Sequence, residues 1–244
     1  MRMLRAVLVW LGISLATLLF GIPAIFAAFV PPRGDWFLRF ARGWARTILA
    51  FSGVSVRVLR PDRLRGPAPV VFVANHESLA DILVLLAHVP FQVRFLAKRS
   101  VFSIPVLGWS IRAAGFVPVD RGDRARSAST LDAALARLES GRSVVIFPEE
   151  TRTRTGELLP FKKGAALLAL RSARPLLPVA ISGTRQVLPR ESLLPSRGRV
   201  VLAVGDRIES AGLETRDRAP LTAAIRAAVS SLREEAAAAR ERDA

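Results

Sequence analysis

The chain has 244 residues, room for one domain with a modest extension, and 51% of them are apolar, which suffices for a full core and excludes a disordered or collagen-like protein. Cysteine is absent, so disulfide frameworks, thiolate metal sites, cysteine nucleophiles and sulfur-linked lipid anchors are excluded. A formal charge of +16, with a mean hydropathy of +0.32 and an isoelectric point near 11.8, calls for an anionic partner: nucleic acid, a membrane surface or a phosphorylated substrate.

Residues 6 to 30 carry no charge and are long enough to cross a bilayer as a helix. The run continues past the small Ala27 and Ala28 to Pro31 and Pro32, unlike a cleaved signal peptide. Gly21 and Pro23 interrupt it and predict a kink or a re-entrant hairpin rather than a straight span. Over residues 35 to 51, Trp36, Phe37, Phe40, Trp44, Ile48 and Phe51 share a helical face beside Arg39, Arg42 and Arg46, the pattern of an interfacial helix; an ordinary helix packed on the next domain is the alternative. Arginines stand on both sides of the apolar run, compatible with both ends facing the cytoplasm. Residues 1–53 are therefore expected to form a membrane-associated helical hairpin, and residues 54–244 a second unit.

From residue 54 short β-branched runs alternate with helical stretches. Strands are expected near 55–59, 70–74, 93–97, 116–119, 143–147, 177–181 and 200–204, and helices near 79–88, 101–114, 126–139, 163–173 and 220–240, the last with Leu221, Ile225, Val229 and Leu232 on one face. This alternation implies an α/β domain with a mixed, largely parallel central sheet flanked by helices.

Chemistry in such folds gathers where strands run into loops. The run VVFVA delivers Asn75, His76, Glu77, Ser78 and then Asp81. Of the two histidines, His88 ends an apolar helical stretch, a packing or capping place. His76 leaves a buried strand directly into a polar turn, where an imidazole base is exposed to substrate on a rigid element. Five positions separate it from Asp81, so the two meet only with His76 in the loop and Asp81 in the first helical turn. The run Ser78-Leu79-Ala80-Asp81 is a capping-box pattern that supplies this break. Asp81 then serves either as a cap or as the carboxylate that orients His76, and spacing leaves both open.

Four blocks in order carry a resemblance. The segment Asn75-His76-Glu77-Ser78-Leu79-Ala80-Asp81 resembles the His-x4-Asp signature of the glycerolipid acyltransferases, Gly115 to Arg121 the second motif of that family, Phe147 to Arg152 the third, and Leu177 to Ile181 the fourth. The match covers about residues 54 to 205. It implies direct transfer of a fatty acyl group from acyl-CoA or acyl carrier protein to a lysophospholipid hydroxyl, with lysophosphatidic acid as acceptor and phosphatidic acid as product. His76 would be the base and Asp81 its partner. Glu149 would lie at the acceptor's glycerol end and Pro178 on the acyl-donor side, although proline offers shape and no polar chemistry. The resemblance implies no metal and no cofactor beyond the acyl thioester co-substrate, and a place at the inner membrane with the site facing the cytoplasm.

Arg121 and Arg152 each follow an expected strand, where guanidinium forks grip phosphate. Lys98, Lys162 and Lys163 are the only lysines among 36 basic residues; Lys98 is an additional phosphate candidate, while the other two could meet the donor's phosphates or the membrane. Two positions depart from the family's text: Glu150 stands where glycine is common, and Ser100 where an acidic residue is usual. Related enzymes acylate other lysolipids, including lyso-ornithine lipid. A basic membrane-binding module without catalysis explains the charge but not the His76 turn, and hydrolysis would put water in place of the alcohol. The basic residues form no stripe and no zinc finger or RNP motif is present, so nucleic acid is not an expected partner.

Overall fold

The computed structural model describes residues 2–27, 29–30, 35–120, 124–192 and 194–242. Two helices, α1 (Arg2–Ala27) and α2 (Asp35–Phe51), precede a run that alternates β1 (Val54–Leu59), β2 (Val71–Ala74), α3 (Ala80–His88), β3 (Val93–Lys98), α4 (Leu107–Ala113), β4 (Val117–Val119), α5 (Arg124–Glu139) and β5 (Ser143–Ile146). The chain continues through α6 (Gly164–Ser172), β6 (Leu176–Ser182), α7 (Thr184–Val187), β7 (Gly198–Val204) and α8 (Arg218–Arg242). The strands form one sheet in the order β1-β7-β6-β2-β5-β3-β4. All neighbours are parallel except β6 and β7, so the sheet is mixed and largely parallel, as the alternation implies.

The central strands are buried on both faces, and their side chains divide with period two. Val70, Phe72 and Ala74 join a core with α2 and α3, while Val71 and Val73 join one with α5, α6 and α8. Leu221, Ile225 and Val229 of α8 supply that second face, and Leu232 continues it. A strand with no polar residue, such as VFVA, thus covers two layers at once.

Three local expectations are sharpened or changed. Helix α1 runs unbroken through Gly21 and Pro23; Ser110 Oγ of α4 donates to Gly21 O at 3.1 Å. The helix expected over 101–114 divides, because Pro105 lacks an N–H and holds the residue before it extended: a 3-10 turn covers Arg99–Ser103, Ile104 is extended at φ −71, ψ 122, and α4 begins at Leu107. The aromatic face of α2 is largely core. Phe37 and Ile48 are buried, Phe40 and Trp44 pack partly buried against the same core, and Trp36 and Phe51 stay exposed. Arg42 donates to Val89, Pro90 and Phe91 carbonyls and Arg46 to Ala87 O, tying α2 to the end of α3. Most of the exposed apolar surface belongs to α1, where Leu8, Leu11, Leu15, Leu19 and Phe26 are all more than half exposed. The two helices pack closely: Trp44 Nε1 donates to Thr17 Oγ1 at 3.1 Å, and a Cβ at Gly43 would meet the Phe20 ring at 2.6 Å.

Candidate active site

Strand β2 ends at Ala74, and Asn75 extends its pairing with a side chain. Asn75 Nδ2 donates to Ile181 O at 2.9 Å and its Oδ1 accepts from Ile181 N at 2.8 Å, which fixes the exit of the chain against β6. The next residue, His76, is held from three directions. Its N–H donates to Glu149 Oε1 at 2.7 Å, its carbonyl accepts from Thr153 N at 3.1 Å, and its ring stacks on Phe147 at 4.1 Å between centroids. Glu149, Thr153 and Phe147 all come from the turn after β5, so two neighbouring parallel strands jointly set the imidazole.

His76 Nδ1 lies 2.9 Å from Asp81 Oδ2. The same oxygen accepts from Glu77 N and Ser78 N, each at 2.8 Å, while Ser78 Oγ accepts from Ala80 N at 3.1 Å. Asp81 is therefore both cap and orienting partner, a combination that the capping-box pattern and the five-residue spacing describe together. Its other oxygen accepts from Thr184 Oγ1 at 2.5 Å. With four donors on a fully buried carboxylate, Asp81 accepts the Nδ1 proton and leaves Nε2 as the basic nitrogen. Nε2 has no protein partner among the described residues.

His76 lines a cavity of about 710 Å³ whose wall is overwhelmingly apolar and comes mainly from α1, α2, α3, β3 and α4 and the segments beside them. Phe147 and Lys98 also border it. A base in the wall of a large apolar cavity suits an alcohol or acyl group carried on a hydrocarbon chain.

The other sequence candidates fall in different places. Glu149 is 5% exposed and engaged through both oxygens, the second accepting from Leu159 N at 2.9 Å. Burial pushes its carboxyl up to about 7, against the two backbone N–H groups that favour the charged form. Arg152 is half-buried; burial and the neighbouring Arg190 lower its pKa while Asp81 and Glu191 oppose the shift, and Arg190 Nη1 donates to Arg152 O at 2.8 Å, which places Arg152 and Arg190 together near Asp81. Lys98 is exposed at the end of β3. Lys162 and Lys163 are exposed before α6. Pro178 is buried in β6, its carbonyl accepting from Gly205 N at 2.9 Å, and it is not part of the apolar cavity's wall. Arg121 lies outside the described residues. Glu150 has φ +58, so the turn keeps the left-handed conformation that glycine adopts freely, although a glutamate occupies it. His88 ends α3 with Nδ1 3.0 Å from Val84 O, a packing place.

Three contributors escape the sequence reading. Thr184 follows Gly183, whose φ is +102 and whose Cβ would meet Arg199 O at 2.3 Å; a glycine-threonine pair directly after a buried strand is the signal that could have found it. Arg190 carries no local signal. Arg233, in the middle of α8, donates from Nε to Glu77 Oε1 at 3.0 Å and also bonds Gly156 O. It stands opposite the burial that raises the Glu77 pKa.

The acyltransferase family model matches residues 55–182. A chloroplastic 1-acyl-sn-glycerol-3-phosphate acyltransferase of Brassica napus, BAT2, is 38% identical over 124 residues, covering 51% of this chain and 36% of that protein. The 1-acyl-sn-glycerol-3-phosphate acyltransferase of Saccharomyces cerevisiae is 32% identical over 181 residues, 73% of this chain and 59% of that protein. The chain thus spans less than two thirds of either relative. The crystal structure of the 1-acyl-sn-glycerophosphate acyltransferase PlsC from Thermotoga maritima superposes with a TM-score of 0.79 at 25% identity, covering 96% of this chain and 98% of that one.

Proposed function

Because this chain belongs to the acyltransferase family, we propose that it moves a fatty acyl group from an acyl thioester to the sn-2 hydroxyl of lysophosphatidic acid, giving phosphatidic acid. The observation that carries this reading is the His76 to Asp81 contact at the wall of the apolar cavity. His76 Nε2 takes the proton of the acceptor hydroxyl as its oxygen attacks the thioester carbonyl. Asp81 stabilises the imidazolium that forms. Collapse of the tetrahedral intermediate expels the thiolate, which recovers the proton from Nε2. The acyl group passes directly to the acceptor, and no enzyme nucleophile is acylated. Arg152 with Arg190 supplies charge for the acceptor's phosphate, and the cavity takes a hydrocarbon chain. The donor is acyl-CoA or acyl carrier protein, both anionic and suited to a chain of charge +16.

The membrane part of the proposal rests on α1. Residues Val7–Ala27 are long and apolar enough to cross a bilayer, and only 11% of that window is buried, so this is not a core helix. A row of exposed leucines in water is unfavourable by ~25 cal/mol per Å², and lipid removes that cost. Residues 1–53 form the membrane-facing unit at the cytoplasmic membrane, with the site toward the cytoplasm. Purified protein supplied with lysophosphatidic acid and acyl-CoA should form phosphatidic acid, and acyl-CoA alone should stay intact. Thioester cleavage without acceptor would indicate a hydrolase. Acylation of lyso-ornithine lipid in preference to lysophosphatidic acid would keep the chemistry and change the acceptor.

A further inference from the structure

Helix α8 is seated on the sheet by Leu232, Ala236 and Ala239, which pack with Ala180 of β6 and with Val201 and Ala203 of β7. Arg233 leaves this anchored stretch and joins the two loops that meet at His76. Its Nε donates to Glu77 Oε1 at 3.0 Å, in the turn after β2, and its Nη2 donates to Gly156 O, in the segment after β5. From there a circuit of hydrogen bonds closes on the histidine. Gly156 N donates to Thr153 Oγ1 at 3.1 Å, Thr153 N donates to His76 O at 3.1 Å, and Glu77 follows His76 in the chain. Glu77 Oε1 also accepts from Asn75 Nδ2 at 3.3 Å, so the side chains on either side of His76 meet at one carboxylate oxygen, and Arg233 holds that oxygen from α8.

Charge gives the link its weight. Glu77, Asp81 and Glu149 are all buried around one imidazole. Burial pushes the Glu77 carboxyl up and Asp81 adds to the push, while Arg233 and Arg185 hold it down. Arg185 and Arg226 also donate to the segment after β5, at Arg154 O (3.1 Å) and Leu158 O (3.4 Å), but among the described residues neither bonds the turn after β2. Arg233 does both. A guanidinium suits this place, because its rigid fork aims Nε and Nη2 at two acceptors in fixed directions, which a single ammonium does not do. We infer that Arg233 is a positioning residue for the proposed transfer: it locks the turn after β2 to the segment after β5 and so keeps the His76 imidazole at its angle toward the acceptor hydroxyl. The inference rests on the reading of His76 as the base, and Arg233 acts through Glu77 and Gly156.

The test combines kinetics with ring-nitrogen NMR on the full-length chain in detergent. With lysophosphatidic acid and acyl-CoA, R233M should lower kcat by about tenfold to a hundredfold and leave both KM values within about twofold of wild type. R233K should recover only part of the rate, since its ammonium reaches one of the two acceptors. R226M breaks a bond to the same segment without touching the turn after β2, and should keep the wild-type kcat. His76 and His88 are the only histidines, so ¹⁵N-histidine labelling gives two sets of ring signals, and H76A identifies the His76 set. In R233M the His76 ring shifts should move, as Nδ1 loses its fixed partner, while those of His88 stay in place. If R233M folds poorly, E77Q keeps the side chain's shape, removes the ion pair, and should move the same His76 signals with a smaller fall in kcat. Unchanged His76 signals in R233M and E77Q, a loss confined to KM, full recovery by R233K, or an equal loss in R226M overturns the inference. Wild-type transfer by H76A defeats the base reading instead, and is told apart because the ring signals report the position of His76 whether or not it is the base.

Discussion

Thr184 Oγ1 donates to Asp81 Oδ1 at 2.5 Å, across 103 positions of sequence and from the turn after β6 to the first turn of α3. This bond occupies the carboxylate oxygen that His76 does not use, and so fixes the rotation of the carboxylate beneath the imidazole. Hydrogen bonds to charged groups are worth ~1.5 to 3 kcal/mol. Thr184→Val should therefore lower kcat by about tenfold to a hundredfold with KM for both substrates little changed, and Thr184→Ser should restore most of the rate. A rise in KM with kcat intact would show that Thr184 shapes a binding surface instead.

Arg152 stands with Arg190 near Asp81. Its proposed partner is the acceptor phosphate, so Arg152→Ala should raise the KM for lysophosphatidic acid by about tenfold and leave the donor's KM nearly unchanged. Steady-state kinetics with each substrate varied in turn decides this. A rise confined to the donor's KM would assign Arg152 to the donor's phosphates.

Glu149 gives a pH signature. Burial raises its carboxyl from 4.5 to about 7, so the folded state holds its proton more tightly than the unfolded chain. A raised pKa contributes stability that is fully present below the unfolded value and is lost as pH rises through about 7. Glu149→Gln has no such titration, and the other groups in that range are common to both proteins. The difference in Tm, wild type minus variant, should thus shrink by several degrees between pH 4.5 and pH 7.5. A difference that is constant with pH contradicts the assignment.

Glu150 adopts φ +58, where an L-residue other than glycine costs ~1 to 2 kcal/mol, part of which is offset by the greater unfolded-state freedom of glycine. Glu150 is exposed, so the conformation and not a contact dominates. Glu150→Gly should raise stability by about 0.5 to 1 kcal/mol in urea denaturation. A loss of stability would mean that the glutamate side chain holds the turn.

What was legible in the sequence follows from what local pattern encodes. The seven strands were visible because β-branched runs such as SVVIF and VVFVA have no other use at that length, and the long helix α8 because its apolar residues recur with helical period. The divided segment before α4 was missed although Pro105 carried the signal. The face of α2 stayed open between lipid and a packed domain, because an aromatic stripe beside arginines looks the same in both cases, and only the partner distinguishes them. In the site, His76 and Asp81 were legible because a strand end and a capping pattern lie within seven residues. Thr184 and Arg233 were not, since each reaches the loop from more than a hundred positions away and nothing in a single sequence records that approach.

The central claim is that His76, oriented by Asp81, is the base that activates the acceptor hydroxyl. Asp81 also accepts from Glu77 N and Ser78 N, so its removal disturbs the turn as well as the chemistry, and His76 is the cleaner change. The direct measurement is single-turnover transfer of a labelled acyl group from acyl-CoA to lysophosphatidic acid by wild type and His76→Ala, each matched for fold by circular dichroism and for membrane recovery. Loss of a general base costs ~10² to 10⁴ in rate, and the account predicts a fall in that range with acceptor binding retained. Wild-type transfer by His76→Ala would contradict it and place the base elsewhere in the chain.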